Sequence, residues 1–272
     1  MQKIQRYAFL VVLPLAVAAA DTPRPTLRRI KMDVVGGRPV VDDVFLDGHG
    51  PYRFLLDTGG QTNQVEAALA QRLAFDATFQ VEMVTPAGPF LAPGGRVGHV
   101  SLGPAKADNQ EFIFTSLDGI HALSPKIRGI LGQEFLAHFD FTLDFRNQQL
   151  VFGEAPVSGT RVSVRWIQGR MAIPTNFGDL VLDSGSDTLT LFRTSSTRRW
   201  AQLRGSSGAT ASVSVTAAPL LLIGGRQFRP PIAVIGSASF SSEGGLLPAS
   251  LFQAIFICNS EGYVVIGQQM RR

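Results

Sequence analysis

Two short stretches of this chain could do chemistry. "FLLDTGGQT" (Phe54–Thr62) and "LVLDSGSDT" (Leu180–Thr188) each run apolar into an aspartate, then a small hydroxyl residue, then glycine. Asp57 and Asp183 would thus stand at the tips of two buried strands. If the two tips face each other, the carboxylates form a pair. Two carboxylates about 3 Å apart in a dry cleft cannot both ionise, so they share one proton and titrate as a unit. Such a pair can hold one water. Its ionised member takes a proton from that water as it attacks a carbonyl, and its protonated member donates to the developing oxyanion. Thr58 and Ser184 are then expected to hydrogen-bond across to the opposite loop. Gly59 and Gly185 are expected to give each backbone a tight turn with N–H groups near the carboxylates.

Little else in the sequence competes. His49, His99, His121 and His138 are far apart and show no ligand spacing, and neither HExxH nor GxSxG occurs, so neither a metal nor serine-hydrolase chemistry is assigned. No cofactor is expected. Cys258, the single cysteine, lies in the apolar run "AIFICNS" and reads as a buried small hydrophobe. Asp140 and Asp144 alternate with apolar residues in "FDFTLDF" and read as solvent-facing strand residues. The net charge of +4 comes from dispersed Lys and Arg, with local clusters only at "RPTLRRIK" and "RTSSTRRW". A nucleic-acid partner would need a denser basic stripe with interleaved aromatics, and none is expected.

The elements that must position the two aspartates are mostly strands. Helical spacing is clearest in "VEAALAQRLAF" (Val65–Phe75) and weaker in "SSTRRWAQL" (Ser195–Leu203). Most other segments alternate or run apolar between Gly, Pro, Asn and Asp, which predicts an all-β protein. The pattern also repeats at the scale of half the chain. Each half has the Asp turn, a short helix, several strands, and a closing segment of Gly, aliphatics, a helix-like turn and a hairpin: Arg128–Gly153 in the first, Gly244–Gly267 in the second. The predicted organisation is a lobe over 27–153, a Pro/Ser/Gly linker over 154–165 and a second lobe over 166–267, related by a pseudo-twofold axis. Residues 1–20 read as a signal peptide: Lys3 and Arg6 precede an apolar stretch too short for a good span, and small residues precede Asp21. Export to the periplasm or beyond is therefore expected, without stable membrane insertion after cleavage.

At these residues the sequence resembles the aspartic proteases of the pepsin and retropepsin superfamily. "DTG" (Asp57–Gly59) and "DSG" (Asp183–Gly185) match its paired signature. "GILG" (Gly129–Gly132) is similar to the segment that threads behind the Asp turn, and "GPYRFLLDTGG" and "GILGQEFLAHFDFTLDF" are similar to exported bacterial retropepsin-like proteins. The resemblance spans roughly Leu27 to Gly267. It implies a bilobal fold of two β-barrel lobes with short helices, and an endopeptidase acting on peptides or unfolded proteins through an Asp57/Asp183 dyad. It also implies a substrate-binding flap in "VEMVTPAGPFLAPGG" (Val81–Gly95), with Thr85, Pro86, Ala87 and Gly88 at its tip. With both Asp turns in one chain, a monomer should suffice.

Three features depart from the family. Gly60 stands where pepsins have Ser or Thr, so the outer hydroxyl contact to Asp57 is missing while Ser186 could supply one to Asp183; Pro248 in "GLLP" stands where the family has Gly; and only about six residues separate the expected cleavage site from the first strand-like segment, too few for a long inhibitory propeptide. The first two leave open a silent peptide- or ligand-binding protein of the same fold. A more distant alternative is an actin-like or sugar-kinase-type ATP-dependent enzyme, since "DTGGQTN" is similar to a phosphate loop. That fold requires several crossover helices between parallel strands.

Overall fold

The computed structural model describes residues 28–85, 88–153, 157–192, 200–205, 208, 210–216, 220–230, 232–235 and 243–270. The first half supplies β1 (Arg28–Lys31), β2 (Asp33–Val35), β3 (Arg38–Leu46), β4 (His49–Leu56), β5 (Asn63–Glu66) and α1 (Ala67–Arg72). It continues with β6 (Phe79–Thr85), β7 (Gly88–Leu102), β8 (Ala105–Thr115), α2 (Asp118–His121), β9 (Ile127–Leu131), α3 (Gln133–Leu136), β10 (Phe141–Asp144) and β11 (Gln149–Phe152). The second half follows with β12 (Val157–Ser163), β13 (Arg165–Ile167), β14 (Arg170–Thr175), β15 (Gly178–Asp183), β16 (Leu189–Phe192), β17 (Trp200–Arg204) and β18 (Thr210–Thr216). It ends with β19 (Leu221–Ile223), β20 (Arg226–Phe228), β21 (Ile232–Ile235), β22 (Gly245–Pro248), β23 (Ala254–Cys258) and β24 (Tyr263–Met270).

The internal repeat is visible strand by strand. One eight-stranded sheet has the order β2-β3-β4-β9-β5-β8-β7-β6, the other β13-β14-β15-β22-β16-β21-β18-β17. Position for position the directions also agree. β4–β9 and β15–β22 are parallel, as are β5–β8 and β16–β21, while β5–β9 and β16–β22 are antiparallel. An extra pairing of β3 with β7 curls the first sheet towards closure. The third large sheet, β1-β11-β10-β23-β24-β12, takes strands from both halves, with β10 and β23 paired antiparallel at its centre.

Burial explains why the strands carrying the aspartates read as unbroken apolar runs. Phe54, Leu55 and Leu56 on β4 are all buried, as are Leu180, Val181 and Leu182 on β15. A strand covered on both faces has no polar side to alternate with. Leu56, Leu131, Leu182 and Leu247 belong to one core that joins both halves, while Leu55, Ile130 and Val40 pack into a smaller cluster on the other face.

Several expectations need correction. The helix predicted over Ser195–Leu203 is not formed at its C-terminal end: Trp200–Arg204 is β17, paired antiparallel with β18. Residues 195–199 lie outside the described residues. Pairing to a neighbouring strand overrides a weak helical spacing that has little local stabilisation of its own. The helix predicted over Val65–Phe75 forms only as Ala67–Arg72, because Val65 and Glu66 belong to β5. The stretch read as linker is largely strand, since Val157–Ser163 forms β12 against β24. Asp144 does not face solvent: it is buried, and its carboxylate accepts the Asn147 backbone N–H (2.9 Å) and side-chain Nδ2 (2.7 Å). Asp140 is half-buried and accepts from Ser260 N (2.9 Å) and Oγ (2.6 Å). Cys258 is buried, as expected. The longest helix among the described residues has 6 residues, which removes the crossover helices that an actin-like fold requires. No helix among the described residues is long and apolar enough to cross a membrane; residues 1–27, with the expected signal segment, lie outside them.

Candidate active site

β4 runs parallel to β9 until the Asp57 N–H donates to Leu131 O (2.9 Å), after which the chain turns away. β15 does the same beside β22, with Asp183 level with Pro248. Both aspartates therefore leave the sheet where it stops. The Gly59 and Gly60 N–H groups then fold back to donate to Asp57 Oδ1, at 3.0 Å each.

The two turns meet closely. A Cβ placed on Gly59 would lie 2.5 Å from Asp183 Cγ, and one on Gly185 would lie 2.6 Å from Asp57 Cγ. Each carboxyl thus sits on the glycine of the opposite turn. Space for the partner aspartate is the reason for glycine here, rather than the backbone freedom expected from sequence.

Thr58 and Ser184 interlock beneath the pair as expected. Thr58 Oγ1 donates to Leu182 O (2.8 Å) and accepts Ser184 N–H (3.0 Å); Ser184 Oγ donates to Leu56 O (2.7 Å) and accepts Thr58 N–H (3.0 Å). Both side chains are buried. The four bonds form a closed figure with each hydroxyl used once as donor and once as acceptor. In a buried setting such a network allows little play, because breaking one bond orphans a polar group at a cost of about 1–3 kcal/mol.

The electrostatics are not symmetric. Burial raises Asp57 above the ordinary carboxylate range, and hydrogen bonds from Asp183 and from the Gly59, Gly60 and Gly185 N–H groups pull it back. Asp183 is raised well above that range, by burial first, then by the negative charge of Asp57 and the hydrogen bond between them. The Gly185 N–H and Arg38 offset this only in part. Asp183 is 7% exposed, and its Oδ1 has no protein partner among the described residues. Asp57 Oδ1 thus has two N–H donors, which favour a charge, while Asp183 Oδ1 has none among the described residues.

Each half supports its turn differently, and sequence reading missed these supports. In the first, the buried Gln133 donates from Nε2 to Thr58 O (2.8 Å), and Asn63 Oδ1 accepts the Gly132 N–H (3.0 Å). A Cβ on Gly132 would overlap Thr62 O. In the second half the strand registers put Leu189 at the place of Asn63 and Pro248 at that of Gly132. Proline has no N–H to donate and leucine has nothing to accept one with. The departure at Pro248 is therefore matched by Leu189, which is buried. In sequence, Asn63 and Leu189 stand at equal offsets from the Asp turns, whereas Gly132 and Pro248 are matched only by strand register.

The remaining expected residues divide. Ser186 does not reach Asp183: its Oγ donates to Thr188 O (3.0 Å) within its own turn, and a hydroxyl has only one hydrogen to give. At Gly60 a Cβ would sit 3.0 Å from Asp57 Oδ2, so a side chain there would abut the carboxylate. β6 and β7 form an antiparallel hairpin at the sheet edge, with Thr85 opposite Gly88. Pro86 and Ala87, the expected flap tip, lie outside the described residues. Among the described residues no group of three or more His, Cys, Asp or Glu could hold a metal ion.

The chain is thus an all-β protein in which two Asp turns meet face to face. Residues 43–135, which include the first turn and the start of its closing segment, match the family model described as Aspartyl protease. That likeness lies within the first half of the chain. No curated protein matches it in sequence. Among solved structures it is similar to a retropepsin-like aspartic protease from Rickettsia conorii, with 20% identity over 46% of this chain and 89% of that one and a TM-score of 0.34.

Proposed function

We propose that this chain is an aspartic endopeptidase. The observation that carries the reading is the crossed seating of Asp57 and Asp183, each against the other turn's glycine, above the Thr58–Ser184 interlock. Asp57 acts as the base. It takes a proton from a water held by the pair as the oxygen attacks the scissile carbonyl. Asp183 gives its proton to the carbonyl oxygen, forming a neutral tetrahedral intermediate. The proton acquired by Asp57 then passes to the amide nitrogen, the C–N bond breaks, and Asp183 recovers its proton. The chemistry needs no metal and no covalent intermediate.

The substrate is a peptide or unfolded segment lying between the two halves, taken here as lobes over 27–153 and 166–267. Strand-like hydrogen bonding to the hairpin of β6 and β7, the flap, would hold it. Since one chain carries both turns, the working unit is a monomer. The positive and apolar residues before Asp21 support export to the periplasm or beyond. A fluorogenic peptide-library assay across about pH 3 to 8 tests the reading, paired with a binding assay on the same peptides. Cleavage that follows a single acidic-to-neutral bell supports it. Peptide binding without cleavage at any pH would make the protein a silent binder of the same fold.

A further inference from the structure

The duplicated hairpins place two arginines at equivalent positions. Arg38 opens β3 directly after the turn from Val35, and Arg170 opens β14 directly after the turn from Ile167. Each reaches a carbonyl of the Asp turn in the opposite half. Arg38 Nε donates to Gly185 O at 2.7 Å, whereas Arg170 Nη1 stands 3.5 Å from Gly59 O. Their anchors differ more. Arg38 pairs with Asp187, four residues beyond Asp183 in the same turn, at 3.3 Å from both Nη atoms, while its Nη1 also donates to Gly36 O at 2.8 Å. Arg170 pairs with Glu243 of its own half, at 2.9 and 3.0 Å. At the counterpart of Asp187 stands the neutral Gln61, whose Nε2 donates to Gln168 O at 2.7 Å. The fold is twofold-like at this point, but among the described residues the charged link between the halves exists on one side only.

We propose that Arg38 is a positioning residue of the dyad: it clamps the turn bearing Asp183 to the first half and sets a single positive charge beside the pair. This rests on the endopeptidase reading and deepens it. The bond to Gly185 O fixes the residue on which Asp57 is seated, so the clamp acts on both carboxyls at once. The charged groups around Asp183 are Asp57 opposite it, Arg38 across the turn and Asp187 beyond Arg38; Arg170 and Glu243 flank the Gly59 side. Arg38 is the cation that offsets the raised proton affinity of Asp183. Its side chain is only 15% exposed, so water screens it weakly.

The experiment follows the Asp183 carboxyl by carbon-13 NMR titration in the full chain, alongside the pH profile of kcat/KM on a cleaved peptide. Arg38→Gln should move the Asp183 titration, and with it the basic limb of the profile, to higher pH. Arg38→Lys should leave the titration near wild type but lower kcat, because the charge stays while the Nε bond is lost. Asp187→Asn should move the titration to lower pH, because a negative charge leaves and Arg38 remains. Arg170→Gln should leave it in place, whatever its effect on rate. An Asp183 titration unmoved in Arg38→Gln, or moved as far by Arg170→Gln, would overturn the proposal. If Arg38→Gln fails to fold, Asp187→Asn decides it, an unmoved titration again overturning it. The NMR readout needs no turnover, so a wild-type protein that cleaves nothing would count against the endopeptidase reading and not against this one.

Discussion

Thr58 and Ser184 each use one hydroxyl to hold the other's backbone: Thr58 Oγ1 bridges Ser184 N and Leu182 O, and Ser184 Oγ bridges Thr58 N and Leu56 O. The two residues come from opposite halves of the chain, so this figure is also a joint between the halves. Thr58→Val keeps the shape and removes both bonds of one hydroxyl. It orphans two buried backbone groups and should cost about 1–3 kcal/mol for each. Denaturant unfolding should show that loss, and hydrolysis should fall with it. A Thr58→Val protein as stable and active as wild type would show that the interlock is incidental.

Gly60 sets a different constraint. A serine there would bring its Cβ to 3.0 Å from Asp57 Oδ2 and a hydroxyl within reach of the same carboxylate. A donor to the ionised form favours that form. Gly60→Ser should therefore move the acidic limb of the pH–rate profile to lower pH. Gly60→Ala, which crowds the carboxylate without donating to it, should not. Equal profiles for the two variants would remove the hydroxyl from the explanation.

The supports behind the turns can be exchanged. Asn63→Leu should orphan the Gly132 N–H and destabilise the first half by about 1–3 kcal/mol. Leu189→Asn should cost a similar amount by burying a carboxamide that has no N–H from Pro248 to accept. Adding Pro248→Gly to Leu189→Asn should recover part of that loss, by recreating the Asn63–Gly132 arrangement. The coupling energy in a double-mutant cycle checks this: a value near zero would mean that the two positions are independent.

Much of this site was legible before the fold. Asp57, Asp183, Thr58 and Ser184 announce themselves because the same unusual turn occurs twice, and a duplicated motif constrains where its copies face. The reason for Gly59 and Gly185 was not legible, since it lies in the partner's carboxyl and not in the local backbone. Arg38 was hidden for the same reason: its target is Gly185, distant along the chain, and only strand register reveals that Arg170 is its counterpart. Asp144 misled because alternation assigns a carboxylate to solvent, whereas Asn147 three residues later supplies two hydrogen bonds and makes burial tolerable. β17 misled because its partner strand, not its own spacing, decides its conformation.

Proton affinity also predicts a pH dependence of stability. Asp183 holds its proton more tightly folded than unfolded, because burial and Asp57 disfavour its charge. Between the unfolded and folded pKa the native state binds more protons, so stability falls as pH rises through that window. Below the unfolded value both states are protonated and the penalty vanishes. Asp183→Asn, neutral at every pH, should raise Tm at neutral pH, with the gain shrinking as pH is lowered towards the ordinary carboxylate range. A gain that grows on acidification would have the sign wrong and would point to Asp183 as the ionised partner.

The central claim is that Asp57 and Asp183 act as one unit on a shared water. Its most direct measurement is kcat/KM for a cleaved fluorogenic peptide in wild type, Asp57→Asn, Asp183→Asn and the double variant, each shown to be folded. The account predicts that either single change abolishes hydrolysis by several orders of magnitude, and that the double variant is hardly worse than either, because groups that work as a unit are not additive. Near wild-type turnover in either single variant, or losses that simply multiply in the double, would contradict it.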